Sequence, residues 1–296
     1  MKILQATSLF FSIIFFAICA SCVSKQELSV LKYYEYDHDL PLEDSVELIS
    51  DSLGYELSSV VFTSVHNKRV TGLLSVPVDP NPLPVVILLH GVGDRKTVDY
   101  IEAGHDYFVN SGFAVLRIDI LNHGDRKEHD YDFNLTDGYR YWTRDIISQT
   151  VFDLRRSIDF LQTRKEIDFE RIGYYGISLG GIIGTIFSGV DARVKAPVIA
   201  LAGGNLSLMF GLDAFTEDTK DFFSIIDPIN FVGQISPRPL LMINAENDEV
   251  IVPLTSKLLF KKANEPKEII WYPSRHRDLP IDKAYPDGIE WFQKHL

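Results

Sequence analysis

Cysteine is nearly absent from this chain: among 296 residues there are two, Cys19 and Cys22, and both lie in the N-terminal apolar run. The domain that follows therefore has no disulfide, no thiolate metal site and no cysteine nucleophile, and its stability must come from packing. Positive charge is also short, with 29 Lys and Arg against 41 Asp and Glu, for a formal net charge of -12. Such a surface repels phosphate backbones and anionic lipid headgroups, which excludes nucleic acid and anionic membrane surfaces as partners. Phosphate-cradling glycine loops, metal-ligand clusters and cofactor motifs are missing too, so the sequence implies no cofactor and no metal. Repeats and low-complexity tracts are lacking as well. What is present is 46% hydrophobic residues, enough for a substantial core at this length.

Long hydrophobic runs are confined to the N-terminus. Met1 and Lys2 precede a nearly uncharged stretch, residues 3–23, with Phe10, Phe11, Ile13, Ile14, Phe15, Phe16 and Ile18 at its centre. A basic start followed by an apolar stretch short for a membrane span is the layout of a signal peptide, expected over residues 1–22; an uncleaved anchor is the alternative. The run ends Cys19-Ala20-Ser21-Cys22, which resembles a bacterial lipobox. That resemblance implies lipid attachment at Cys22, the other reading being ordinary secretion. Both readings put the protein outside the cytoplasm, as a cell-envelope lipoprotein or as a periplasmic or extracellular protein. Membrane contact is then expected only through the N-terminal lipid.

Residues 23–59 are acidic, carry Tyr33-Tyr34-Glu35-Tyr36 and show no sustained periodicity. They are expected to be a tether leading into a peripheral helix or strand. Beyond them, short apolar runs alternate with longer amphipathic ones. Residues 60–65 and 70–76 predict a hairpin turning at His66-Asn67-Lys68-Arg69. Continuous apolar runs at 85–89, 115–118, 172–175, 196–201, 240–243 and 268–271 predict strands covered on both faces. Between them, helices are predicted over 99–111 (closed by Gly112), 143–164, 179–190, 253–263 and 285–296. The 143–164 segment places Ile146, Ile147, Val151, Leu154, Ile158 and Leu161 on one face. This alternation predicts one α/β domain over residues 60–296, a doubly wound, mostly parallel sheet.

Within that pattern, Gly176-Ile177-Ser178-Leu179-Gly180-Gly181 joins a predicted strand to a small-residue helix. A tight strand-to-helix turn of this kind exposes a serine hydroxyl and aims a helix N-terminus at a nascent oxyanion; the flanking glycines are required because side chains there would strike the backbone. Reactive groups in such sheets gather beyond the C-terminal strand ends. Two further candidates follow apolar runs: Asp248, in Asn244-Ala245-Glu246-Asn247-Asp248-Glu249-Val250, and His276, in Tyr272-Pro273-Ser274-Arg275-His276. Glu246 or Glu249 could supply the acid instead.

The order serine, acid, histidine, together with Gly176 to Gly181, Pro237-Arg238-Pro239-Leu240-Leu241 and the terminal histidine, resembles the α/β-hydrolases. The similarity is greatest to the dienelactone-hydrolase and acetyl-xylan-esterase-like branch, which is related to the catalytic domain of prolyl oligopeptidases. The resemblance implies an α/β-hydrolase fold with a small lid insertion. It implies Ser178 as nucleophile, His276 as base and Asp248 as the acid that orients it. The oxyanion donors would be Leu179 N–H and, from His90-Gly91-Val92-Gly93, Val92 N–H, with Gly91 second; His90 itself would hold the loop. His123, in Asp119-Ile120-Leu121-Asn122-His123-Gly124, is expected to shape that loop or line the pocket as a substrate-binding residue. Two aromatic insertions, residues 127–142 and 206–226, either wall the pocket, with Phe210 against substrate, or simply pack on the sheet. The implied activity is hydrolysis of a small-molecule carboxylic ester through an acyl-enzyme, with the acyl group on a carbohydrate or another small alcohol. A prolyl-oligopeptidase-type serine peptidase and a non-catalytic binding lipoprotein are the alternatives.

Overall fold

The computed structural model describes residues 30–51, 54–130 and 133–296. The expected signal peptide and Cys22 lie outside the described residues. Among the described residues, no helix is long and apolar enough to cross a membrane.

Nine strands form the sheet: β1 (Ser45–Ser50), β2 (Tyr55–Thr63), β3 (Arg69–Pro77), β4 (Leu83–Leu89), β5 (Ala114–Ile118), β6 (Ile167–Ile177), β7 (Val194–Ala200), β8 (Leu240–Ala245) and β9 (Lys267–Tyr272). Their order is β1-β2-β3-β5-β4-β6-β7-β8-β9. The first three strands are antiparallel, β3 meets β5 antiparallel, and every pair from β5 to β9 is parallel. The helices are α1 (Asp99–Asn110), α2 (Arg140–Gln162), α3 (Leu179–Val190), α4 (Glu217–Phe223), α5 (Pro253–Lys262) and α6 (Ile281–His295).

Parallel strands need both faces covered, and alternate side chains serve the two faces. Tyr174 and Tyr175, neighbours on β6, go opposite ways. Tyr174 enters the cluster with Phe62, Phe160 and Phe187 beneath α2 and α3, whereas Tyr175 joins Phe108, Tyr285 and Phe292 beneath α1 and α6. The chain winds from β4 outward to β5, then returns to the other side of β4 with β6 and continues through β7 to β9. The winding direction therefore reverses between β4 and β6, whose ends meet at the pair Leu89 and Gly176. Loops leaving these two strands diverge, and the crevice between them is where doubly wound sheets bind ligands.

The segment before residue 60 packs more closely than a tether. Tyr34 is fully buried and its hydroxyl donates to Ile225 O at 2.7 Å. Arg155 and Arg156 on α2 donate to the carbonyls of Tyr34 and Leu40. β1 and the first residues of β2 extend the sheet upstream of Val60.

Candidate active site

Ser178 occupies the single residue between β6 and α3, at φ 57° and ψ -116°. Its N–H donates to Ala200 O at 2.9 Å and its carbonyl accepts Ile182 N–H at 3.0 Å, so the turn is fixed to β7 on one side and to the helix on the other. Such a turn requires glycine at both flanks: a Cβ on Gly176 would run into the Gly180 carbonyl, and one on Gly180 would lie 2.5 Å from Leu89 O.

His276 opens the short turn after β9, and its Nε2 lies 2.9 Å from Ser178 Oγ. Its Nδ1 lies 2.7 Å from Asp248 Oδ2, while Asp248 Oδ1 accepts the N–H groups of Val250 at 2.8 Å and Ile251 at 2.7 Å. The carboxylate thus has a proton donor for each oxygen. It can hold Nδ1–H and leave Nε2 free to accept from the serine. The acid in contact with the ring is Asp248. Glu249 accepts backbone N–H groups, its own and that of His276 at 3.3 Å, and Glu246 is exposed.

Leu179 opens α3, so its N–H is one of those that helix geometry leaves unpaired. Across the crevice, Gly91 N–H donates to Tyr100 Oη at 2.8 Å. Val92 N–H makes no hydrogen bond among the described residues. His90 fixes this loop from below. Its Nδ1 meets Gly91 O at 2.7 Å and its Nε2 accepts Ile120 N–H at 3.1 Å, linking the β4 exit to the β5 exit. Burial pushes the His90 imidazole down to about 4, which keeps it neutral in this bridging role. Asp119 and Lys96 tie the same loops together through Lys96 Nζ to Asp119 Oδ2 at 2.5 Å.

A cavity of about 180 Å³ opens over Ser178 and His276, walled by Val92, Tyr100, Leu201, Val250 and Leu279. Tyr100 lies outside any motif, yet its hydroxyl occupies Gly91 and donates to Asp94 Oδ2 at 2.8 Å. His123 does not line this cavity. It is buried, its Nδ1 meets Leu121 O at 2.9 Å, and its ring packs on His90 with centroids 5.6 Å apart. The side chain of Phe210 lies outside the described ones. No described residue of the 206–226 insertion lines the Ser178 cavity; Phe222 and Phe223 are buried against the core and Phe215 is exposed. Among the described residues, no group of three or more His, Cys, Asp or Glu side chains could hold a metal.

The sheet order, the strand-to-helix serine and the acid and histidine after β8 and β9 define an α/β-hydrolase fold. Solved structures share it: an acetyl xylan esterase from Paenibacillus sp. R4 superposes with a TM-score of 0.72 at 21% identity, over 91% of this chain and 92% of that one. Acetyl xylan esterase 1 from Thermoanaerobacterium sp. JW/SL YS485 gives 0.74 at 17% identity, over 91% and 93%. Residues 70–277 match the dienelactone hydrolase family, and the chain belongs to that family. Among sequence relatives, the acetyl esterase Axe7A of Xylanibacter ruminicola is 24% identical over 255 residues, 77% of this chain and 56% of the relative. YtaP of Bacillus subtilis is 26% identical over 175 residues, 54% of each. The chain thus spans about half the length of these two relatives.

Proposed function

We propose that the protein is a serine hydrolase that cleaves carboxylic esters, with a short acyl group on a carbohydrate or another small alcohol as its substrate. The observation that carries this reading is the continuous hydrogen-bonded series from Ser178 through His276 to Asp248 at the mouth of a cavity. Binding alone gives no reason to assemble these three groups, so catalysis is favoured over a binding scaffold. The similarity to an acetyl esterase and to acetyl xylan esterases supports an ester rather than a peptide.

In this mechanism Ser178 Oγ attacks the ester carbonyl carbon while His276 Nε2 takes its proton, and Asp248 holds the imidazolium. The oxyanion develops toward the N–H groups of Leu179 and Val92, where preorganised donors lower the barrier without reorganisation. His276 returns the proton to the leaving alkoxide, and the alcohol departs. Water then repeats the sequence on the acyl-Ser178 ester, releasing the acid. The cavity over Ser178 is about 180 Å³, below the roughly 300–1,000 Å³ of sites for drug-sized ligands, which suits an acetyl or butyryl group.

Hydrolysis of p-nitrophenyl acetate, butyrate and octanoate by wild type and Ser178→Ala tests the reading. The expected result is a preference for acetate over octanoate and a loss on the order of a million-fold in the variant. Folded wild type that turns over none of these esters, with a Ser178 that resists a fluorophosphonate, would overturn it. Export through residues 1–22 and lipid attachment at Cys22 belong to the same proposal. Export rests on the basic start and apolar run, lipid attachment on the lipobox resemblance, and palmitate labelling lost in Cys22→Ala is the expected outcome.

A further inference from the structure

A cavity larger than the one over Ser178 lies elsewhere in the molecule. It measures about 420 Å³ and lies between the first turns of α2, the β2–β3 turn at His66 and the loop at Asn122. The two cavities share none of the described lining residues. The loop after β5 separates them: Leu121 and Asn122 face the larger cavity, while His123 packs on His90, whose neighbour Gly91 lines the smaller one. We propose that this second cavity binds a neutral saccharide, independently of the chemistry at Ser178.

Charge narrows the choice of ligand first. Among the described lining residues Lys68 and Arg126 stand with Glu128 and Asp145, and just behind them Arg126 pairs with Asp153 at 2.8 Å and Asp145 with Arg144 at 3.9 Å, so the charges balance. A phosphorylated ligand would meet two carboxylates and a polycation two basic groups, and each would bring in charge the lining leaves uncompensated.

Hydrogen-bonding capacity narrows it further. Arg126 Nη2 is buried and has no hydrogen-bond partner among the described residues. The side chains of Lys68 and Glu128 likewise have none there. The described lining thus offers both donors and an acceptor, which suits hydroxyl groups, since each hydroxyl both gives and accepts. An acyl chain would leave these groups unpaired, at the desolvation cost of each one it buries.

The third feature is apolar. Tyr33 and Trp142 line the cavity with roughly half of their surface exposed, 43% and 51%, and Phe152 forms part of its floor. A sugar ring presents a C–H face and a rim of hydroxyls, and it matches aromatic faces set among polar groups. The lining is also held in place. Gln149 is fixed by Val65 O at 3.1 Å and Asp153 Oδ1 at 2.8 Å. Asn122 Oδ1 accepts Glu128 N–H at 2.9 Å and His129 N–H at 2.8 Å, which shapes the loop before any ligand arrives.

Full-length Ser178→Ala protein, titrated with xylotriose, cellotriose and maltotriose by calorimetry, tests this without turnover, so its outcome is separate from that of the hydrolase reading. The expected result is saturable binding of at least one trisaccharide, with Kd on the order of millimolar or tighter, weakened about tenfold or more by Trp142→Ala. Tyr33→Ala provides a second variant should Trp142→Ala fail to fold. Both variants, made in the Ser178-containing protein, should keep p-nitrophenyl acetate turnover within about twofold. Three results each overturn the proposal: no binding of any of the three sugars, binding unchanged in the folded variants, or binding to wild type abolished by prior phosphonylation of Ser178.

Discussion

The hydroxyl of Tyr100 decides which backbone donor of the His90 loop is left for an oxyanion. By accepting Gly91 N–H and donating to Asp94 it occupies the nearer amide and holds the loop so that Val92 remains available. Burial pushes this phenol well above its ordinary range, so it stays a donor to Asp94 at every working pH. Tyr100→Phe keeps the ring and leaves Gly91 N–H unpaired. Turnover of p-nitrophenyl acetate should fall about tenfold in kcat with KM nearly unchanged; a rise in KM alone would make Tyr100 only a wall of the cavity. Asp248→Asn should cost on the order of ten-thousand-fold in kcat while leaving the fold intact. Ser178, Asp248 and His276 are legible in the sequence because each follows within a few residues an apolar run that becomes a parallel strand, although β9, expected to be covered on both faces, is only partly buried. Tyr100 is not, because it sits in the first turn of α1 and reaches Gly91 only through the fold.

Elements meet backbone to backbone where β4, β6 and α3 converge. Gly180 lies against the carbonyls of Leu89 and His90, 2.5 and 2.7 Å from where a Cβ would sit, and Tyr174 Oη donates to Gly180 O at 2.6 Å. Backbone on both sides leaves no flexible group to yield. Gly180→Ala should therefore lower stability by roughly 1–3 kcal/mol and displace the serine turn; a lowered urea midpoint with a disproportionate loss of kcat would register both. The parallel strands from β4 to β9 and helices α1, α3 and α5 are readable from apolar runs and periodicity. Two features escape that reading. β1 is almost wholly exposed, so Ser45–Ser50 carries no alternation to detect and joins the sheet through backbone pairing with β2. Helix α6 begins at Ile281, upstream of Pro286, which the sequence places near a helix start; Lys283 and Ala284 both donate to Pro280 O, and the buried Tyr285 anchors the first turns through a 2.7 Å hydrogen bond to Tyr100 O.

For the molecule as a whole, buried titratable groups pull its acid stability in opposite directions. Burial lowers His90 to about 4, and it lowers His105 and His123 as well. Below the ordinary imidazole range near 6.5 the unfolded chain binds protons that the fold refuses, so these groups withdraw stability as pH falls below about 6.5, His90 doing so down to about 4. Asp227 behaves oppositely. Burial raises it to about 6, so between about 4 and 6 the fold holds a proton that the unfolded chain releases, and stability from this group is lost as pH rises through that window. Asp227→Asn removes the opposing contribution. Urea midpoints from pH 7 to 4 should decline in the wild type and decline more steeply between 6 and 4 in the variant; parallel profiles would show that Asp227 is ionised throughout. The positive φ of Ser178 has a consequence for durability. A side chain held there costs about 1–3 kcal/mol that glycine would largely avoid, even after its greater freedom in the unfolded chain is counted. Ser178→Gly should thus be inert toward esters yet harder to melt than the wild type, so the molecule gives up part of its own longevity to keep a hydroxyl at the one backbone position where it can react.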